Sequence, residues 1–172
     1  MKKALGDMTR SLGLMAVIIA VLLFIGARYL IAPGSADRMP PADYSSVVQA
    51  FVRDTGSGLA PAGLPDTWRA NAARLLHPAP GAEQMHVGWV TPNSRFAGLD
   101  EETGADALVL SQVLGNAGSV VRGTTTMADA DWQVRRSDRG ETAYTRRAGK
   151  ALVIVTGNAT DAELRLLATS LH

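Results

Sequence analysis

From Ser11 to Ala27 the chain carries no charged residue and runs SLGLMAVIIAVLLFIGA. Seventeen residues at the helical rise of 1.5 Å extend roughly 25 Å, and continuing through Tyr29, Leu30 and Ile31 reaches about the 30 Å thickness of bilayer hydrocarbon. Apolar side chains from Leu12 to Ile25 would surround such a helix on every side, leaving no polar stripe. Arg28 is placed to snorkel to the headgroups. Lys2, Lys3 and Arg10 precede the run with only Asp7 against them, and basic flanks stay on the cytoplasmic side. Gly34 and Ala36 would suit signal cleavage, yet the run exceeds the roughly 7 to 15 apolar residues of a signal peptide. The expected organisation is a cytoplasmic N-terminus over 1–11, a transmembrane helix over 12–32, a tether over 33–43 and an extracytoplasmic domain over 44–172.

With 172 residues, there is room for one domain beyond this anchor, large enough to bury a core. No cysteine is present, which excludes disulfide staples, cysteinyl metal sites and a lipoprotein anchor. The formal charge of +1 is set by the N-terminal basic residues; without Lys2, Lys3, Arg10, Arg28 and Asp7 the remainder has 13 basic and 15 acidic residues. A slightly acidic domain gives no electrostatic reason to expect nucleic acid.

Pro33–Asp43 is rich in Pro, Gly and small residues, as a tether should be. Asp43 then suits a helix cap, and Tyr44, Val47, Val48, Phe51 and Val52 follow the spacing of one buried helical face ending at Thr55-Gly56. Strands are predicted near Trp68–Leu75, Met85–Thr91 and Phe96–Leu99, followed by a helix near Ala105–Leu114 that stops at Gly115. Turns at Asp138-Arg139-Gly140 and Ala148-Gly149-Lys150 divide the C-terminal third into three segments of a meander: Asp131–Ser137, Glu141–Arg147 and Ala151–Gly157. In the last, Val153 and Val155 face one way and Leu152 and Ile154 the other, so both faces need cover. The closing helix has a Thr160/Glu163 capping box and a stripe of Leu164, Leu167, Ala168 and Leu171. The fold class is therefore α+β: an antiparallel sheet of about five or six strands with helices packed on both faces.

Leu64-Pro65-Asp66-Thr67-Trp68, Gly88-Trp89-Val90-Thr91-Pro92, Trp132 before a hairpin, and Thr156-Gly157-Asn158-Ala159-Thr160 through Ser170-Leu171 occur in fixed order behind the basic, single-span N-terminus. In this combination the whole chain resembles an uncharacterised family of actinobacterial single-span membrane proteins, domain of unknown function 4245. Thr67 stands where glycine is common in that family. The resemblance implies a membrane-anchored extracytoplasmic domain and carries over no functional residues. The order of elements is also similar, by analogy, to the Mog1/PsbP-like sandwich.

His77, His86 and His172 have no helical i+3 or i+4 partner, and a structural or surface role explains them better than metal binding. Asp129 and Asp131 lack the glycine and distal glutamate of a calcium loop and suit a turn; Asp100–Glu102 suits a solvated acidic loop or the approach to a helix. Gly115–Ser119 lacks the lysine of a phosphate loop and suits a flexible connection, and no Gly-x-Ser-x-Gly elbow occurs. Trp68, Trp89 and Trp132 are expected in the core. The cluster that invites a functional reading is Arg135, Arg136, Arg139, Arg146 and Arg147, which one hairpin would gather for contact with an anion or partner. Its bland alternative is a solvated face neutralised by Asp129, Asp131, Asp138 and Glu141.

Nothing in the sequence calls for a cofactor, a metal or catalysis. The expected function is a noncatalytic envelope protein, anchored in the bilayer and binding an envelope protein or cell-wall component. The alternative is a lipid- or small-molecule-binding domain, which needs a cavity of about 300 Å³ or more.

Overall fold

The computed structural model describes residues 40–172 and, before them, Met15 and Ile19, both helical and exposed. The expected span over 12–32 and the tether up to residue 39 therefore lie outside the described residues, apart from those two positions. Among the described residues no helix is long and apolar enough to cross a membrane. The chain divides into two units at Pro40/Pro41, and everything below concerns the second.

Helix α1 spans Tyr44–Thr55, where the Asp43 carboxylate accepts the Ser45 N–H at 3.0 Å and Gly56, at φ 83°, ends it by donating to the Val52 carbonyl. Phe51 is fully buried and Tyr44, Val47 and Val48 pack beside it, as their spacing predicts. Val52 departs from that prediction and is exposed. The Pro65–Trp68 turn closes through Trp68 N–H to the Pro65 carbonyl, and Thr67 is accommodated there without a positive φ.

Seven strands follow rather than five or six: β1 Arg69–Ala79, β2 Ala82–Val90, β3 Phe96–Glu102, β4 Gly123–Met127, β5 Ala130–Arg136, β6 Thr142–Ala148 and β7 Ala151–Thr156. They form one sheet in the order β1-β2-β3-β7-β6-β5-β4 with every neighbouring pair antiparallel. The strand the pattern does not reveal is β4, a threonine-rich edge joined to β5 by the two-residue turn Ala128-Asp129, both at positive φ. That confirms the turn reading of Asp129 and uses Asp131 to accept a hydrogen bond from Thr126 across the hairpin.

Strand β7 is buried at all six positions. Ala151, Val153 and Val155 join the larger core cluster under α1 and the closing helix α3, Asp161–Ser170. Leu152 and Ile154 face the opposite way and pack with Ala143 against Val109, Leu110 and Leu114 of α2, Asp106–Leu114. Full burial of each such aliphatic side chain is worth about 1.5–3 kcal/mol, so covering both faces is the main energetic return of the layered arrangement. The three tryptophans are in the larger core, as expected. Helix α3 carries the predicted capping box, and the Tyr144 hydroxyl donates to Asp161 at its first turn. Burial pushes the Glu163 carboxyl up, but hydrogen bonds from Thr91, Thr160 and Asn93 outweigh it and bring its pKa down to about 2.

The larger core also holds a charge. Glu101 stands in register with Met85 on β2 and Val153 on β7, and Arg146 follows on β6. Its carboxylate accepts the Leu59 N–H at 3.0 and 3.2 Å, while Arg146 lies 4.9 Å over the Trp132 ring. Burial raises the Glu101 pKa to about 7, against the opposing pull of the Leu59 N–H and Arg146.

A carboxyl raised on folding contributes full stability below its unfolded pKa of 4.5 and loses it as pH rises through the folded value. The loss by pH 8 is about 3 kcal/mol at 1.36 kcal/mol per unit. Glu101→Gln keeps an acceptor for Leu59, so it should recover about 2 kcal/mol at pH 8 and little at pH 4.5. Denaturant unfolding of the full chain in detergent at both pH values measures the difference, and equal gains at the two would refute the assignment. Ala128→Gly relieves a left-handed alanine and should add about 0.5–1 kcal/mol in the same assay.

Candidate binding cleft

Helix α2 covers only the β6–β7 part of its face of the sheet. On the β1–β3 part of that face an open cleft of about 300 Å³ remains, with Arg74 and Leu76 from β1, His86 from β2, and Phe96 and Asp100 from β3. Gln112 and Val113 of α2 and Arg139 and Glu141 of the β5–β6 turn also line it, and all four recur in an adjoining cavity of about 210 Å³.

The floor depends on two glycines. Gly88 and Gly98 are directly paired across β2 and β3, and the Phe96 ring lies over both. A Cβ on Gly88 would stand 2.6 Å from Phe96 Cε2, and one on Gly98 would stand 3.1 Å from Cε1. The ring stacks beside His86 with centroids 6.3 Å apart and planes 19° apart.

His86 pairs in register with both Arg74 and Asp100. Its Nδ1 lies 2.8 Å from Asp100 Oδ1, and because an ionised carboxylate only accepts, Nδ1 carries the hydrogen. The hydrogen bond to Asp100 raises the His86 pKa; burial opposes it, the Asp100 charge reinforces it and Arg74 opposes it. Among the described residues, no serine or threonine hydroxyl bonds to His86. Thr156 lines the cleft, but its hydroxyl donates to the Thr142 carbonyl. The arrangement therefore holds an oriented acid–base group without an attached nucleophile. Among the described residues no group of three or more His, Asp or Glu could hold a metal ion.

The acidic segment Asp100–Glu102 is not a solvated loop: it completes β3, and its three residues are 6, 0 and 1% exposed. Burial and then the Asp100 charge raise the Glu102 pKa, and Glu102 Oε2 has no hydrogen-bond partner among the described residues. His77 pairs with Glu83 at 3.1 Å across the β1–β2 hairpin. Gly115–Ser119 is not a flexible connection either. Residues Asn116–Ser119 form a 3-10 turn whose first N–H groups, from Asn116 and Ala117, donate to the Asp138 carboxylate at 3.1 and 2.7 Å.

The five hairpin arginines do not form one cluster, although Arg135 and Arg136 line a separate cavity of about 310 Å³ together with Arg122. Arg135 is buried, donating to the Gly118 and Ser119 carbonyls at 2.7 and 2.9 Å and to Thr145 and Gln133. It holds the end of the 3-10 turn. Arg146 lies over Trp132 on the larger-core face, Arg147 is bound to Asp106 and the Lys150 carbonyl, and Arg136 donates to the Gly140 carbonyl. Arg139 alone of the five lines the cleft, where it joins Arg74 and His86, which the arginine pattern does not include.

NMR titration of the His86 ring should give a pKa above the ordinary 6.5, and Asp100→Asn should bring it down by removing the hydrogen bond and the charge. The stability this pair contributes is full below about pH 6.5 and is lost as pH rises through the folded value. An unchanged His86 titration in Asp100→Asn would contradict the pairing.

A search among curated proteins finds no match. The family described as protein of unknown function (DUF4245) matches residues 1–171, which takes in the N-terminal run and the whole of the α+β domain. The chain belongs to the DUF4245 family.

Proposed function

We propose that this is a single-pass membrane protein, cytoplasmic at its N-terminus, whose extracytoplasmic domain is a noncatalytic binding module for an envelope protein or cell-wall component. The charge-free run Ser11–Ala27 with its basic flank supports the placement. The antiparallel sheet with helices on both faces supports the likeness to Mog1/PsbP-like sandwiches.

The observation that carries the binding reading is the uncovered β1–β3 part of the second sheet face. Exposed charged side chains, Arg74 and Arg139, flank a concave floor there, where stability alone would favour an apolar cover. A small-molecule ligand is the second reading, favoured by a cleft volume at the lower end of ligand pockets, about 300 Å³.

Full-length protein purified from its native membrane in mild detergent should carry a stoichiometric component identifiable by mass spectrometry. Leu76→Trp, which narrows the cleft from its exposed rim, and Arg139→Glu should both lose that component. Arg136→Glu, outside the cleft, should keep it. A protein or wall fragment establishes the first reading and a bound metabolite or lipid the second. A component that survives both cleft variants rejects the cleft as the binding surface.

A further inference from the structure

Resting on the cleft as a binding surface, we infer that it recognises a phosphate ester, with the oxyanion between Arg74, His86 and Arg139 and the carbon portion against Phe96. The three basic groups come from separate elements: β1, β2 and the β5–β6 turn. Among the described residues neither Arg74 nor Arg139 has an ion pair or side-chain hydrogen bond. Of the other arginines of the hairpin, Arg135, Arg136 and Arg147 spend donors on carbonyls, hydroxyls and carboxylates, and Arg146 lies over Trp132 on the opposite face of the sheet.

The acidic groups of the cleft are differently committed. Asp100 is bound to His86, and Glu141 contacts the Ser137 hydroxyl at 3.5 Å with its backbone N–H on the same oxygen at 3.2 Å. When His86 is protonated, a state the Asp100 hydrogen bond favours, it and the two arginines outnumber Asp100 and Glu141. One fork satisfies a planar carboxylate, whereas donors converging from three directions suit a tetrahedral oxyanion with more oxygens and more charge. The Phe96 ring, fixed over Gly88 and Gly98 beside His86, supplies an apolar surface for the esterified carbon. That surface distinguishes an ester from free phosphate.

Full-length protein in nonionic detergent is titrated with inorganic phosphate, glycerol phosphate and acetate while the His86 ring signals are followed by NMR. Saturable shifts are expected with both phosphates, tighter for glycerol phosphate, and about tenfold weaker with acetate. Arg74→Ala and Arg139→Ala should each weaken phosphate binding by about fivefold or more, with partial recovery in the lysine variants and no change in Arg136→Ala. Both arginines are exposed, so the variants should fold, and far-UV circular dichroism checks this. Competition by phosphatidylcholine vesicles containing phosphatidylglycerol, but not by phosphatidylcholine alone, identifies a lipid source; its absence leaves soluble or wall-borne phosphate.

No saturable shift with either phosphate, or equal binding in the Arg74→Ala/Arg139→Ala double variant, overturns the inference. If Leu76→Trp still loses the native component while phosphate has no effect, only the ligand class fails. If Leu76→Trp and Arg139→Glu both retain that component, the cleft itself is rejected.

Discussion

Burial of β7 on both faces is the constraint on which the rest of the molecule depends. With apolar side chains alternating to either side, the strand is stable only between two layers, and its central place in the sheet fixes where those layers sit. On one face α1 and α3 share the load. On the other, α2 has nine residues, about 14 Å of helix, against a seven-stranded sheet about 29 Å across. A helix of that length covers β7 and β6 and leaves the β1–β3 portion open. The cleft is thus the geometric remainder of covering the central strand with a short helix.

Charges inside the domain are handled in different ways, and the differences separate structure from recognition. Arg135 makes four hydrogen bonds to carbonyls and side chains around it, so it acts as a rivet between sheet and 3-10 turn. Glu101 has one backbone donor and a distant guanidinium, and it remains a cost near neutral pH. His86 and Asp100 satisfy each other but keep one imidazole nitrogen without a partner among the described residues. Only this last arrangement combines order with unused hydrogen-bonding capacity at a concave surface.

Much of the fold was legible because its strands and helices carry their signals locally. The alternation in Ala151–Thr156, the Thr160/Glu163 box and the Asp43 cap need no knowledge of distant residues, and the structure contains all three. Strand β4 escaped because Gly123–Met127 has no apolar alternation: only Met127 reaches the core, and the turn after it lacks glycine. Asp100–Glu102 misled because three consecutive charges are rarely buried, and β3 continues through them. The cleft was the least legible part. Its His86–Asp100 pair depends on β2–β3 register, and the hairpin arginines were separated by partners as remote as Asp106 and Gly118. Arg74 had no local feature to mark it.

The sheet order has a bearing on how the chain reaches this state. Strands β1–β3 form one meander and β4–β7 another, and the two meet only where β3 pairs with β7. The partners Glu102 and Leu152 are 50 positions apart, so the seam requires a large loop to close before it gains its ladder. Until the last strand is available, β3 lacks its inner neighbour and β6 lacks one side of its pairing. A nascent chain ending before Ala151 would therefore present two sticky borders from the middle of the finished sheet. Protection during biogenesis matters most at that point, when nearly all of the domain has been made but its halves have nothing to join them.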